Sequence, residues 1–118
     1  MQPYTIIVDR RPKVKARPRH NKKGQVFTPK TTLQEEDHVA EAWVTQGGKI
    51  TDQPVEVMLV YSPTQTVITV VPSPHNAKTL RGDLDNYVKL TLDALTQEAW
   101  DDDRQVVRIM AVKVDAIE

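Results

Sequence analysis

Apolar and polar positions change their period several times along the 118-residue chain. "YTIIVD" (4–9) alternates weakly and is rich in β-branched residues, which predicts a strand. The next stretch, "RRPKVKARPRHNKKGQVFTPK", loses the pattern and holds three prolines and a glycine, so it predicts a loop with a short strand at "QVFT". Helical spacing returns with Leu33, Val39, Ala40 and Trp43 or Val44, in a helix capped by Thr31 or Thr32 and stopped at Gly47–Gly48. "VEVMLVYS" (55–62) and "TVITVV" (66–71) predict two strands joined by a turn at "SPTQ". A polar loop over 72–82 leads into a second helix, Leu84 to Gln97, whose stripe is Leu84, Val88, Leu92 and Leu95. The alternating "QVVRIMAVKVDAI" (105–117) predicts a last strand. The order β, α, β, β, α, β predicts one α+β domain over residues 1–118, a small mixed β-sheet with two helices.

Composition supports an ordinary globular chain, with 39% hydrophobic and 27% charged residues. There is no cysteine, which excludes disulfides and thiolate metal sites and suits a reducing, cytoplasmic setting. No signal-peptide pattern opens the sequence, and no apolar run approaches the roughly 18 to 20 residues of a membrane span.

The net charge of zero conceals an uneven distribution. Residues 10–30 carry Arg10, Arg11, Lys13, Lys15, Arg17, Arg19, Lys22, Lys23 and Lys30 and no acid. Residues 83–118 carry nine acids against four bases. A basic segment of this density points to an anionic partner, with phosphate contacts favoured over a plain solvated loop.

The acids are concentrated at two places. In "RGDLDNYVKLTLDAL" (81–95), Asp85, Lys89 and Asp93 are spaced four and four, which places them on one helix face beside the leucine stripe. Local stability accounts for part of this: Asp83 at the N-cap and Asp85 in the first turn each suit the helix dipole, by about 0.5–1 kcal/mol. The second place, "WDDDRQVV", sets three carboxylates in a row before the last predicted strand. A solvated turn is one reading. If the turn meets the start of the second helix, three or four carboxylates converge, and their mutual repulsion calls for a cation. Magnesium or manganese, which prefer oxygen ligands, fits that need. Next to a phosphate-attracting segment, this is chemistry for phosphodiester hydrolysis, with Lys89 placed to stabilise developing charge.

These residues resemble the RusA family of Holliday-junction resolvases. The likeness rests on "DLDNYVK" (83–89) followed by "LDAL" (92–95), on "DDRQV" (102–106), and on the basic opening "KARPR" and "VFTP". It is strongest over residues 81–106. The resemblance implies a small homodimer that binds four-way junction DNA and nicks two strands symmetrically with magnesium, manganese substituting. It implies that Asp83, Asp85 and Asp103 bind the metal and that Lys89 is the essential lysine, with Asn86 and Asp102 supporting. Lys13, Lys15, Arg17, Arg19, Lys22, Lys23 and Arg81 are the expected DNA contacts. Gly82 stands where the family often has a basic residue, and the 62–80 loop is longer than in the shortest relatives.

A non-catalytic binder of branched DNA is the alternative, and a nuclease for other branched DNA is a third reading. His20, His38 and His75 are scattered, as surface histidines are. With four glycines and no glycine-rich phosphate loop, a nucleotide cofactor is not expected. Trp43 is expected in the core, and Trp100 in the core or at an interface.

Overall fold

A central strand with a neighbour on either side organises the first half of the chain. In the computed structural model, β5 (Thr66–Pro72) lies between β1 (Tyr4–Val8) and β4 (Val55–Tyr61), in the order β1-β5-β4. The structure describes residues 2–15, 19–20, 22–75 and 77–117. Tyr4 faces Val70 and Val8 faces Thr66 in one ladder, while Val55 faces Pro72 and Tyr61 faces Thr66 in the other. The "SPTQ" turn forms as expected: Ser62 N–H donates to the Gln65 carbonyl at 2.9 Å, and Ser62 Oγ accepts from Gln65 N–H at 3.2 Å. β2 (Arg19–His20) and β3 (Val26–Phe27) pair as a short separate hairpin, the strand expected at "QVFT". Every strand pairing among the described residues is antiparallel, so the sheet is not the mixed one expected.

Helix α1 (Lys30–Thr45) begins at Pro29, with no side-chain cap. Thr32, expected as a cap, is instead buried. Pro29 is suited to a helix entrance because its fixed φ is already helical and it has no N–H to satisfy. Leu33, Val39 and Val44 are exposed, and the shielded positions are Thr32, Glu35, Ala42 and Trp43. The reason lies at the helix end, which docks on β1. The Trp43 ring meets Tyr4 edge-on, with centroids 5.7 Å apart and planes at 76°. Tyr4 Oη donates to the Gln46 carbonyl. The Gln46 side-chain amide donates to the Ile7 carbonyl at 2.6 Å and accepts from Ile7 N–H at 3.0 Å, as a neighbouring strand would. Gly47 follows at φ +90°, where a Cβ would lie 2.6 Å from Tyr4 Oη. A Cβ on Gly48 would overlap the Trp43 indole. On the same strand, Ile6 and Val8 are 1% and 5% exposed and are the buried apolar side chains among the described residues.

The chain divides into two compact units, Met1–Ser73 and Pro74–Glu118. The second holds α2 (Leu84–Leu95) and a short 3-10 turn, Asp103–Gln105. Leu84, Val88 and Leu92 are half-buried, as the stripe predicts, and Leu95 is slightly more open. The last expected strand does not form. Residues 106–117 have no strand partner among the described residues, and most of their apolar side chains stay open, with Val107 93% and Met110 84% exposed, while Val106 and Val114 are half-buried. A strand needs a ladder to satisfy its backbone groups, and the described residues offer none here. No helix among them is long and apolar enough to cross a membrane.

Candidate active site

Asp83 occupies the N-cap of α2 with extended backbone (φ −67°, ψ 139°). Its carbonyl accepts from Asn86 N–H at 3.1 Å, but its carboxylate makes no capping bond. The local role that sequence reasoning allowed this side chain is therefore not taken up. Asp85 follows in the first turn, at the positive end of the helix dipole. Asp83, Asp85, Asn86 and Lys89 are all exposed. Lys89 forms no ion pair with Asp85 or Asp93 among the described residues, so this face presents a cation beside uncommitted carboxylates.

The backbone leading into Asp83 is held from three directions. Tyr87, one turn into α2, places its Oη 3.2 Å from Gly82 N–H, which donates to it. The Lys113 ammonium donates to the carbonyls of Leu80 and Gly82, at 3.4 and 3.0 Å. Asp115 Oδ1 accepts from both Thr79 N–H and Thr79 Oγ1, at 3.0 and 2.8 Å. These bonds, the backbone one first, lower the Asp115 pKa from the usual aspartate range. A side chain at Gly82 would lie 2.9 Å from the Tyr87 phenol, which explains glycine beside this tyrosine.

The second acidic motif is a capped turn. Asp102 Oδ1 accepts from Arg104 N–H at 2.8 Å, and its carboxylate pairs with the Arg104 guanidinium at 3.2 Å. Gln105 Oε1 reaches back to accept from Asp101 N–H and Asp102 N–H, both at 2.8 Å, completing a capping box. The Arg104 side chain, and after it the Arg104 backbone, lower the Asp102 pKa. Asp102 thus closes and caps its own turn.

Asp103 turns toward α2's far end. Its Oδ1 accepts from Thr96 Oγ1 and, at 3.1 Å, from Trp100 Nε1. The Thr96 hydroxyl also faces the Leu92 carbonyl at 2.8 Å, and its one proton serves one acceptor at a time. Thr96 first and Trp100 second hold the Asp103 carboxyl below the usual range, against opposing desolvation and the Asp102 charge. Gln97, in the left-handed region at φ 70°, makes the tight turn that brings Trp100 back toward Thr96. Trp100 is half-buried and is neither simple core nor a free stacking surface. Sequence reasoning missed Thr96, Lys113 and Asp115; no spacing signal marks them.

Three carboxylates of this kind have the hard oxygen donors that suit magnesium. Among the described residues, however, no group of three histidine or acidic side chains is arranged to hold a metal ion. Asp83, Asp85 and Asp103 are not drawn into the cluster expected of them, and as placed they do not fit a metal. Two of the three aspartates in "DDD" have local hydrogen-bond partners, which relieves the repulsion that the cation was invoked to cancel.

The basic segment is partly neutralised. Arg10 and Lys13 both reach Glu35 on α1, at 2.8 and 3.4 Å, and Lys15 reaches Glu36 at 3.5 Å. Arg11, Lys22, Lys23 and Arg81 are exposed. Arg17 lies outside the described residues, and for Arg19 only the backbone strand is described.

Neither the curated proteins nor the solved structures compared with the chain gave a match. A family model described as endodeoxyribonuclease RusA matches residues 9–118, which takes in the basic segment, both acidic motifs and the residues Lys113 and Asp115. The chain belongs to the RusA family of endodeoxyribonucleases.

Proposed function

We propose that this chain is a nuclease that resolves Holliday junctions by paired symmetric nicks, in DNA recombination and repair. One observation carries the reading. The start of α2 presents Asp83, Asp85, Asn86 and Lys89 to solvent, with no side-chain partner among the described residues, in a chain matched by the RusA family model. In this reading the Lys89 ammonium meets the charge that develops on the phosphate. Exposed bases of the 10–30 segment and Arg81 contact DNA backbone, which positions the junction without reading its sequence. The cofactor we propose is magnesium, with manganese substituting, and Asp83, Asp85 and Asp103 as its ligands. They must be drawn together from the positions described above for it to bind.

A homodimer belongs to the same proposal. A four-way junction has approximate two-fold symmetry, and two coordinated nicks call for two sites related in the same way. Sedimentation equilibrium at micromolar concentration tests the dimer.

The test of function is cleavage of four-way junctions, flaps and duplexes with magnesium or with EDTA. Paired nicks in junctions, lost in EDTA, are expected. Tight junction binding with no cleavage under any divalent ion would leave a branched-DNA binder instead, and preferred cutting of flaps would change the substrate.

A further inference from the structure

The carboxylate of Asp83 can serve chemistry only if its backbone is fixed, because its side chain anchors nothing. What fixes the backbone comes mostly from far along the chain. Lys113 binds the carbonyls of Leu80 and Gly82, and Asp115 binds both donors of Thr79. Two residues that are themselves only two apart thus grip both ends of the turn that delivers Asp83 and, two residues on, Asp85. An ammonium suits the first of these grips, since it has several donors and shares them between two carbonyls. A carboxylate oxygen suits the second, since its lone pairs accept two bonds at once. Neither side chain is placed by the acidic motifs themselves, and the segment carrying them has no strand ladder of its own.

We infer that Lys113 and Asp115 are positioning residues of the nuclease site, clamping the 79–82 turn so that Asp83 and Asp85 are held for reaction. The inference rests on the nuclease reading above, and it makes the irregular C-terminal segment a brace for the catalytic turn.

The experiment uses the full chain and five proteins: wild type, Lys113→Met, Lys113→Arg, Asp115→Ala and Asp115→Asn. Single-turnover nicking, junction binding and amide exchange at Thr79 and Gly82 are read on each, below the melting temperature. In Lys113→Met and Asp115→Ala the nicking rate is expected to fall about tenfold or more, since misplacement of about 1 Å can cost far more than that. Junction affinity should stay within about twofold, because the phosphate contacts lie elsewhere. Exchange at Thr79 should speed up in Asp115→Ala, and at Gly82 in Lys113→Met. Lys113→Arg and Asp115→Asn keep a donor and an acceptor respectively, and should recover most of the rate.

Wild-type nicking in both Lys113→Met and Asp115→Ala overturns the assignment. So does a joint loss of rate and binding with exchange unchanged. If one variant fails to fold, the other decides. If wild type itself makes no nick, the nuclease reading falls; faster exchange in the variants would then show a brace without a reaction, and the positioning role falls with it.

Discussion

Trp100 and Asp103 are joined by a hydrogen bond from the indole Nε1–H to the carboxylate Oδ1, 3.1 Å long, across a turn of three residues. The same carboxylate oxygen takes a second bond from Thr96. Both bonds favour its ionised form and lower its pKa. A group whose folded pKa is lowered contributes stability above its unfolded pKa, and that contribution is lost as pH falls through the folded value. The Trp100 indole proton should therefore keep one NMR position through neutral and weakly acidic pH. It should move only below the usual aspartate range. In Asp103→Asn the acid-induced movement should vanish, and persistence of the same titration would assign it to another group.

Because Asp103 is engaged with Trp100 and Thr96, recruiting it to a cation means breaking those bonds. Magnesium titration should then shift the Trp100 indole resonance in wild type and leave Trp43 in place. Asp83→Asn or Asp103→Asn should lower junction cleavage by about 100-fold or more, a loss on the scale seen when one group facing transition-state charge is removed. Junction binding should persist in both. Wild-type cleavage in either variant would remove that residue from the site.

On the DNA-binding role proposed for the basic segment, Glu35 and Glu36 compete with phosphate for Arg10, Lys13 and Lys15. Surface ion pairs are worth about 0.2–1 kcal/mol, and the partly shielded Glu35 pairs belong at the upper end, so Glu35→Gln should tighten junction binding by about two- to fivefold at low salt. Alanine at Lys13 and Lys15 should lower the log–log salt slope by about 0.9 for each phosphate that is no longer neutralised. Filter binding across a salt series reads both. An unchanged slope in the double variant would put the DNA surface elsewhere.

Gly48 lies against the Trp43 indole, with no room for a methyl group. Gly48→Ala should cost about 1–3 kcal/mol of stability through overpacking. Thermal melts of the variant and of Gly48→Ala/Trp43→Leu decide it, since the smaller leucine should return part of the loss.

Much of the fold was legible because local chemistry and final structure agree. β1, β4, β5 and the "SPTQ" turn lie where the β-branched runs and the turn residues put them. α2 follows its stripe, with its N-cap at Asp83. The segment 105–117 misled for a physical reason: alternation marks an extended chain, but only a neighbour makes it a strand. Thr32 misled because threonine is both a good cap and a small side chain that fits a packed interface. At the candidate site, the exposed helix face carrying Asp85 and Lys89 was legible from their spacing of four, and Asp83 from its place at the helix start. The attachment of Asp103 to Thr96 could not, since it depends on Gln97 taking a left-handed conformation rare for glutamine. Lys113 and Asp115 were illegible because they act on groups 31 to 36 residues away, mostly backbone atoms, and backbone carries no sequence signature.

The amide of Gln46 has a consequence for how the protein meets other chains. An open strand border is a template on which foreign strands assemble, and proteins commonly blunt it. By occupying both the N–H and the carbonyl of Ile7, Gln46 blunts the β1 border with a side chain. β4, the opposite border, is seven residues long, and valine, methionine, leucine and tyrosine dominate it. Recruitment of an extra strand is thereby directional. Any self-association through this sheet is therefore expected at the β4 border and not at β1.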